Sequence, residues 1–405
     1  MDLMGVVRDL AASGVVGVFL FFFFRHPARL SRRWAVISAI LVAGLLESGL
    51  VSAMACRAYG LAQLRLMLTA LTAGIAVVFY FCLAVAVVWV ADIIWWAFTR
   101  PEPVSAKRAV SVSEDAPGDG SAKRLATRPW AVRAFTVVAV ALSLMTTGYG
   151  YVEAQSPAVT DVTLSFPDLP SDFDQMTIAL VVDLHISSMT RSSFLPMVVD
   201  QVNSAHPDLI VIAGDLVDGT VANLGERMSA LKDLTAPYGV VVTLGNHETY
   251  SGAEQWSAYF DSLGLKVLTN DGILLRRGDQ SITILGVADL KQTGAMAPDL
   301  SRAVDRVGSC EDAFCVLVAH EPAQVLSDDG LASRLGVDLQ LSGHTHGGQM
   351  WPLKYLTRLS QPAVDGVHVI DQVTVVTSRG VGTFRPPVRV GADPEIPIIT
   401  LTQSS

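Results

Sequence analysis

Charge is scarce in this 405-residue sequence. Asp, Glu, Lys and Arg make up 17% of it, where soluble globular chains carry about 25%. Together with 51% hydrophobic residues and a mean hydropathy of +0.43, that shortage excludes a chain solvated throughout its length. Cysteine is also scarce: Cys56, Cys82, Cys310 and Cys315 are too few for a disulfide-built scaffold. Basic charge is thin in the second part of the chain. Residues 1–156 hold 14 Lys or Arg against 9 Asp or Glu, a net +5, while residues 157–405 hold 15 against 29, a net −14. A region that acidic offers no clustered cationic groove, so a nucleic-acid partner is not expected. The two parts are different kinds of object.

What the first part has is long apolar runs. About 20 such residues match the hydrocarbon core of a bilayer, and Trp34–Ala55, Leu66–Ala91 and Ala131–Tyr151 qualify. Leu10–Phe24 is only 15 residues long and could be the apolar core of a signal peptide, but Arg25-His26-Pro27 follows where a small-residue cleavage site would lie. A short span fits better. The expected organisation is three transmembrane helices within 1–98 (about 10–24, 34–55 and 66–91) and a disordered cytoplasmic linker over 99–130. A fourth transmembrane helix at 131–151 and a folded domain over 157–405 follow.

Basic residues set the expected orientation. Arg25, Arg29, Arg32 and Arg33 lie in the first loop, only Arg57 and Arg65 in the second, and seven Lys or Arg between Thr99 and Arg133. The positive-inside rule then places the first and third loops in the cytoplasm and everything after Tyr151 on the opposite side, with Trp89, Trp95, Trp96 and Trp130 near the cytoplasmic boundary. The protein is thus expected to be a multi-pass membrane protein with an extracytoplasmic domain. Glu47 and Asp92 fall within or near spans. With no matching intramembrane cation they read as hydrogen-bonded structural carboxyls, which disfavours a transporter.

From Ser156 the periodicity changes. Seven short apolar runs (Thr177–Val182, Leu209–Ala213, Val240–Leu244, Ser281–Val287, Phe314–Ala319, Leu339–Ser342 and Val373–Ser378) alternate with stretches of helical spacing such as Ser193–Ala205 and Leu224–Leu234. That pattern predicts a layered α/β domain whose strands are buried on both faces. Five of these runs end in polar groups able to hold a metal: Asp183-Leu184-His185, Gly214-Asp215-Leu216-Val217-Asp218, Gly245-Asn246-His247-Glu248, His320, and Gly343-His344-Thr345-His346. Sites in α/β folds assemble outside strand ends, so the five can converge on one rim. Five of the eight histidines sort to these ends. Alternation along an extended Gly-His-Thr-His segment is expected to put both imidazoles on one side. His26, His206 and His368 have no such companions and read as surface residues.

These motifs resemble the signature of the calcineurin-like metallophosphoesterase superfamily over about residues 175–400. His346-Gly347-Gly348-Gln349 and Ser378-Arg379-Gly380-Val381-Gly382 are similar to a bacterial membrane-associated phosphodiesterase branch. The resemblance implies a four-layer α/β/β/α sandwich. It also implies two divalent ions, one held by Asp183, His185, Asp215 and His346, the other by Asp215, Asn246, His320 and His344, with Asp215 shared. His247 would be the general acid and Asp218 would orient it. Carboxylate, imidazole and amide donors without a thiolate suit manganese, iron, zinc or magnesium. Two such ions about 3.5–4 Å apart clamp a phosphoryl group and supply a bridging hydroxide for in-line attack. Asp218 is followed by Gly219 and Thr220, not the Arg of the superfamily's protein phosphatases, which argues against phosphoprotein substrates. Val182 stands where a small hydroxyl residue often precedes the first ligand.

The expected function is a membrane-anchored phosphoesterase, a phosphodiesterase in the first instance. The alternative is a metal-binding pseudoenzyme that acts as an envelope receptor or scaffold. The connector Gln155–Thr160 reaches roughly 20 Å, so the expected substrate is a lipid-linked or other cell-envelope phosphoester near the outer membrane face, with small diffusible nucleotides as the alternative. Outside the cytoplasm Cys310 and Cys315 are expected to close a small disulfide loop.

Overall fold

The computed structural model describes residues 62–99 and 129–404 apart from 309, 311 and 312, with scattered residues before 62. The expected span at 10–24 and the expected linker at 99–130 fall almost wholly outside the described residues, as does more than half of the expected span at 34–55. The chain divides into two compact units, residues 1–48 with 74–147 and residues 49–73 with 148–405.

The first unit contains most of two helices, α1 (Arg65–Thr99) and α2 (Pro129–Glu153). Arg65–Ala91 and Arg133–Glu153 are long and apolar enough to cross a membrane, yet only 33% and 22% of their most apolar windows are buried. No apolar stripe distinguishes one face of α1 from the other. Val87, Val137, Leu142 and Met145 lie exposed, and Phe81, Val85 and Ala139 form a small buried cluster.

The second unit is the α/β domain. Along the chain come β1 (Ala158–Phe166), β2 (Met176–Val181), α3 (Phe194–Ser204), β3 (Leu209–Ala213), α4 (Val221–Met228), β4 (Val240–Thr243), α5 (Asn246–Ser251), α6 (Ala253–Ser262) and β5 (Lys266–Val267). Then follow β6 (Asp271–Arg277), β7 (Gln280–Gly286), α7 (Leu300–Val307), β8 (Cys315–Val318), α8 (Ser327–Arg334), β9 (Leu339–Ser342), α9 (Lys354–Thr357), β10 (Gly366–Ile370), β11 (Val373–Thr377) and β12 (Glu395–Gln403). One six-stranded sheet has the order β1-β12-β2-β3-β4-β5 and the other β10-β11-β9-β8-β7-β6.

The two-residue side-chain period explains the layers. In β2 and β3, Ile178, Leu180, Leu209 and Val211 point toward the second sheet and meet Ile282, Ile284, Val316, Val318, Leu339 and Leu341. The intervening Ala179, Val181, Ile210 and Ile212 face Val198 and Val202 of α3, Leu224 of α4 and Trp256 and Phe260 of α6. On the far side of the second sheet, Leu285 and Leu317 meet Leu300, Ala303 and Val304 of α7 and Ala332 of α8. The result is the expected α/β/β/α sandwich. Each fully buried Leu, Ile or Val in it contributes about 1.5–3 kcal/mol of transfer free energy.

Each of the seven anticipated apolar runs matches a strand of the sandwich to within one residue at either end. β1, β5, β6, β10 and β12 were not anticipated, and three of them make the sheets mixed: β12 runs antiparallel to β2, β6 to β7 and β10 to β11. The helix expected over Leu224–Leu234 is α4, which stops at Met228 and passes into a 3-10 turn at Ser229–Asp233. Cys310 and Cys315 are joined by a disulfide.

The last turn and a half of α2 belongs to the second unit. There Gly150 lies against the loop before β12. Its carbonyl accepts the Arg389 N–H at 2.9 Å, and a Cβ at Gly150 would stand 2.6 Å from the Arg389 carbonyl oxygen. Arg191 Nη2 donates to the Gln155 carbonyl and Gln201 Nε2 to that of Pro157, which fastens the connector as well.

Candidate functional site

β2, β3 and β4 are neighbours running parallel in one sheet, and β8 and β9 are parallel neighbours in the other. Their C-terminal ends therefore open on the same edge of the sandwich, and the chain turns sharply at each. Asp183, His185, Asp215, His344 and His346 all have positive φ, between 45° and 70°. Non-glycine residues adopt this region at a cost of about 1–3 kcal/mol each, and such strain concentrates at functional sites. Glycine relieves the crowding between these turns: a Cβ at Gly245 would lie 2.3 Å from Asp215 Oδ1.

The turns bring together all nine residues singled out from the sequence. Asp183, His185, Asp215, Asn246, His247, His320 and His346 are buried, whereas Asp218 and His344 are partly exposed. On one side His185 Nε2 lies 3.0 Å from His346 Nε2, which is 3.9 Å from Asp183 Oδ1. On the other side His320 Nε2 lies 3.1 Å from His344 Nδ1 and 3.2 Å from Asp215 Oδ2. The same Asp215 oxygen is 3.7 Å from His185 Nε2 and 3.9 Å from His247 Nε2. Asp218 stands beside this row, with Oδ1 at 2.5 Å from His247 Nδ1 and Oδ2 at 3.3 Å from His185 Nδ1.

Contacts at the outer ring atoms, one hydrogen bond and two ion-pair approaches, decide which nitrogens face inward. His320 Nδ1 donates to the Ala213 carbonyl at 2.8 Å, leaving Nε2 toward Asp215. His344 Nε2 lies 3.7 Å from Glu321 Oε2, which turns Nδ1 toward His320. His185 Nδ1 faces Asp218, so its Nε2 looks toward His346.

The charges follow from these contacts. Burial would raise the carboxyl of Asp215, but His320, His247 and His185 outweigh it and hold Asp215 well below the usual carboxylate range. Asp218 is likewise held well down, because His247 and His185 overcome its burial. Burial, His185 and Arg389 push His346 well below an ordinary imidazole, leaving it neutral. Burial and His320 lower His344 to about 4.

The arrangement fits a cation pair. Asp183, His185 and His346 form one compact group of donor atoms within 4.8 Å, and Asp215, His320 and His344 form another. Asn246 Oδ1, an oxygen well suited to a metal, is buried without a hydrogen-bond partner. A third group of the same size contains His185, Asp215 and His247, so His247 is close enough to touch a group bound between the other two.

Two expectations need correction or extension. Gly343-His344-Thr345-His346 is not extended: His344 and His346 both turn to positive φ and a 3-10 turn begins at His346. Its imidazoles consequently serve opposite ends of the row instead of sharing one side. Glu248 was quoted only as the end of a motif. Buried completely, its carboxylate accepts the N–H groups of Gly245, Asp215, Leu216 and Val217 at 2.7–3.0 Å, tying the β3 turn to the β4 turn. An acid three residues after a helix-starting glycine was the available signal. Arg389, also fully buried, carries no sequence signal. Its guanidinium donates to the carbonyls of Gly380, Gly382 and Ala392 and lies 3.3 Å from His346 Nδ1.

A family profile described as calcineurin-like phosphoesterase matches residues 176–348. Similar curated proteins include an uncharacterized metallophosphoesterase of Campylobacter jejuni, 34% identical over 251 residues, covering 61% of this chain and 64% of that protein. A transmembrane protein with metallophosphoesterase domain from Danio rerio is 30% identical over 277 residues, covering 66% of this chain and 63% of its own length. An uncharacterized metallophosphoesterase of Bacillus subtilis is 30% identical over 298 residues, covering 70% of this chain and 100% of that protein. The chain thus spans a little under two thirds of the Campylobacter and Danio proteins.

Proposed function

The chain belongs to the calcineurin-like phosphoesterase family, and on that premise we propose that it is a membrane-anchored, metal-dependent phosphodiesterase acting at the outer face of the membrane. The observation that carries the reading is the position of Asp215. Its Oδ2 lies 3.2 Å from His320 and 3.7 Å from His185, so one carboxylate faces both donor groups. In this reading Asp183, His185, Asp215 and His346 hold one divalent ion and Asp215, Asn246, His320 and His344 the other. Bound there, the pair of ions supplies Lewis-acid polarisation of the phosphoryl group and activation of a water.

The protein's own groups do the rest. Glu248 holds the Asp215 and Asn246 turns in register through its four amide contacts. As an imidazolium His247 donates its Nε2 proton to the departing oxygen, while Asp218, at 2.5 Å, accepts from Nδ1–H and so orients the ring and offsets its charge. Phe384 packs edge-on to the His247 ring with centroids 5.0 Å apart, which limits water on that side.

Membrane anchoring is supported by the length, apolarity and outward-facing side chains of α1 and α2. The extracytoplasmic orientation is supported by the basic loops and by the Cys310–Cys315 disulfide, a bond that persists in oxidising compartments. A domain fastened to the end of α2 favours phosphoesters of the envelope, lipid-linked ones among them. The test uses the full-length protein in detergent, stripped of metal and reloaded with manganese, zinc, iron or magnesium. The expected result is metal-dependent hydrolysis of an aryl phosphodiester faster than of its monoester, abolished in Asp215→Asn. Stoichiometric metal binding without turnover of either ester would overturn the enzymatic reading.

A further inference from the structure

Beside the candidate centre the second unit contains a cavity of about 270 Å³, with His185 and Asp218 in its wall. That is slightly below the roughly 300–1,000 Å³ of ligand sites, enough for a head group and too small for a whole lipid. The start of α1 also lines it, through Arg65, Thr69 and Thr72. Their spacing of four and three residues puts them on one face of that helix. A polar face at the start of a membrane-length apolar helix needs a reason.

The cavity is cationic. Arg65, Arg191 and Arg385 line it, against the single carboxylate of Asp218, which is already engaged by two imidazoles. Among the described residues neither Arg65 nor Arg191 forms an ion pair with a carboxylate. Three buried polar atoms on its lining residues, Thr69 Oγ1, His185 Nδ1 and Arg191 Nε, have no hydrogen-bond partner. Behind the wall Arg227 braces the loop by donating to the Ser187 and Thr190 carbonyls, and burial together with the nearby charge of Arg65 pushes its guanidinium down. Arg65 and Arg191, neither paired with a carboxylate and both next to a phosphoryl-binding centre, fit a second anion.

We propose that this cavity is a recognition subsite for a second anionic group, so that the substrate is a phosphoester whose alcohol portion carries a further phosphate or carboxylate. The proposal rests on the phosphoesterase reading and specifies its substrate class. The phosphoester sits among the metal-binding side chains while the second anion is held by Arg65 and the Thr69 hydroxyl. Both an anionic lipid head group and a soluble bisphosphate have this chemistry.

The test uses the manganese-loaded full-length protein and inhibition of aryl phosphodiester turnover by inorganic phosphate and by α,ω-alkane bisphosphates of increasing chain length. The readout is the ratio of the two inhibition constants, which is insensitive to the fraction of active protein. One bisphosphate is expected to inhibit about tenfold more tightly than phosphate, the scale of one charge-assisted contact. Arg65→Gln should erase most of that advantage and Arg65→Lys should recover part of it. A ratio near one in the wild type, or a ratio unchanged in Arg65→Gln, would overturn the subsite. If no aryl ester is turned over, the phosphodiesterase reading fails separately. Thermal stabilisation by the bisphosphate beyond that by phosphate, lost in Arg65→Gln, then still supports the subsite, and its absence overturns it. A lipid whose head group bears a second phosphate, compared in vesicles with its deacylated head group, assigns the source: faster turnover of the intact lipid selects the membrane and the reverse selects the soluble ester.

Discussion

Asp218 spans two imidazoles: one carboxylate oxygen lies 2.5 Å from His247 Nδ1 and the other 3.3 Å from His185 Nδ1. A single acid thus orients both the expected proton donor and one expected metal ligand. Asp218→Asn keeps the shape but replaces one acceptor oxygen with an N–H donor. Turnover is expected to fall by about 100-fold, within the range of lost general-acid function, with some loss of metal affinity as well. Steady-state kinetics alongside metal analysis will separate the two effects. Unchanged kinetics at full metal occupancy would remove Asp218 from the mechanism.

His247→Ala should matter most when the departing alcohol is a poor leaving group. Loss of about 10²–10⁴-fold is expected for alkyl phosphodiesters, and much less for a nitrophenyl ester, which leaves without a proton. The measurement is the dependence of kcat on leaving-group pKa in both proteins. Equal loss across the series would show that His247 binds substrate and does not protonate it.

Much of this site could be read before any coordinates. The seven apolar runs stood out because β2, β3, β4, β7, β8, β9 and β11 are buried in the sandwich and rich in Val, Ile and Leu. β10 was illegible because its residues are almost all exposed, and β1 because its burial is intermittent. β12 inserts between β1 and β2 from the far end of the chain, a pairing no local pattern encodes. That these nine side chains would meet at one edge was legible through residue type and position at strand ends. The turn at His344–His346 was not, because period-two reasoning assumes extended backbone, and neither was the role of Arg389, whose partners are mostly carbonyls.

Glu248→Gln should destabilise the domain. The amide keeps one acceptor but presents an N–H₂ to backbone donors, leaving buried N–H groups of the Asp215 and Gly245 turns unpaired. A cost of about 2–3 kcal/mol is expected, seen as a lower midpoint in chemical denaturation. A change below about 0.5 kcal/mol would show that the turns hold themselves, as is usual for substitutions away from such features.

Asp338 makes a pH prediction remote from the metal-binding side chains. Burial raises its carboxyl to about 6, partly opposed by the N–H of Cys315 that Oδ2 accepts at 2.8 Å. The folded form therefore holds its proton more tightly than the unfolded chain. This group's contribution to stability is fully present below about pH 4 and is lost as pH rises to about 6. Asp338→Asn, whose amide oxygen can still accept from Cys315, should raise the melting temperature at pH 7.5 and not at pH 4. Equal shifts at both pH values would assign the effect to packing.

Removing metal should loosen the same edge of the fold. Five residues there hold positive φ, and imidazole nitrogens stand 3.0–3.1 Å apart. Ions that bind only the folded state stabilise it by mass action. Chelation is expected to lower the melting temperature, and readdition of manganese to restore it. Identical melting with and without chelator would count against a loaded centre.

The Gly150–Arg389 contact links the last turn of α2 to the metal-binding side chains within the second unit. The residue that donates its backbone N–H to the Gly150 carbonyl also holds its guanidinium 3.3 Å from His346 Nδ1. One arginine is therefore a crossbar, with the helix end on its main chain and a candidate ligand on its side chain. Bulk at position 150, where a Cβ would stand 2.6 Å from the Arg389 carbonyl oxygen, would be felt at His346 without any change to the ligands themselves.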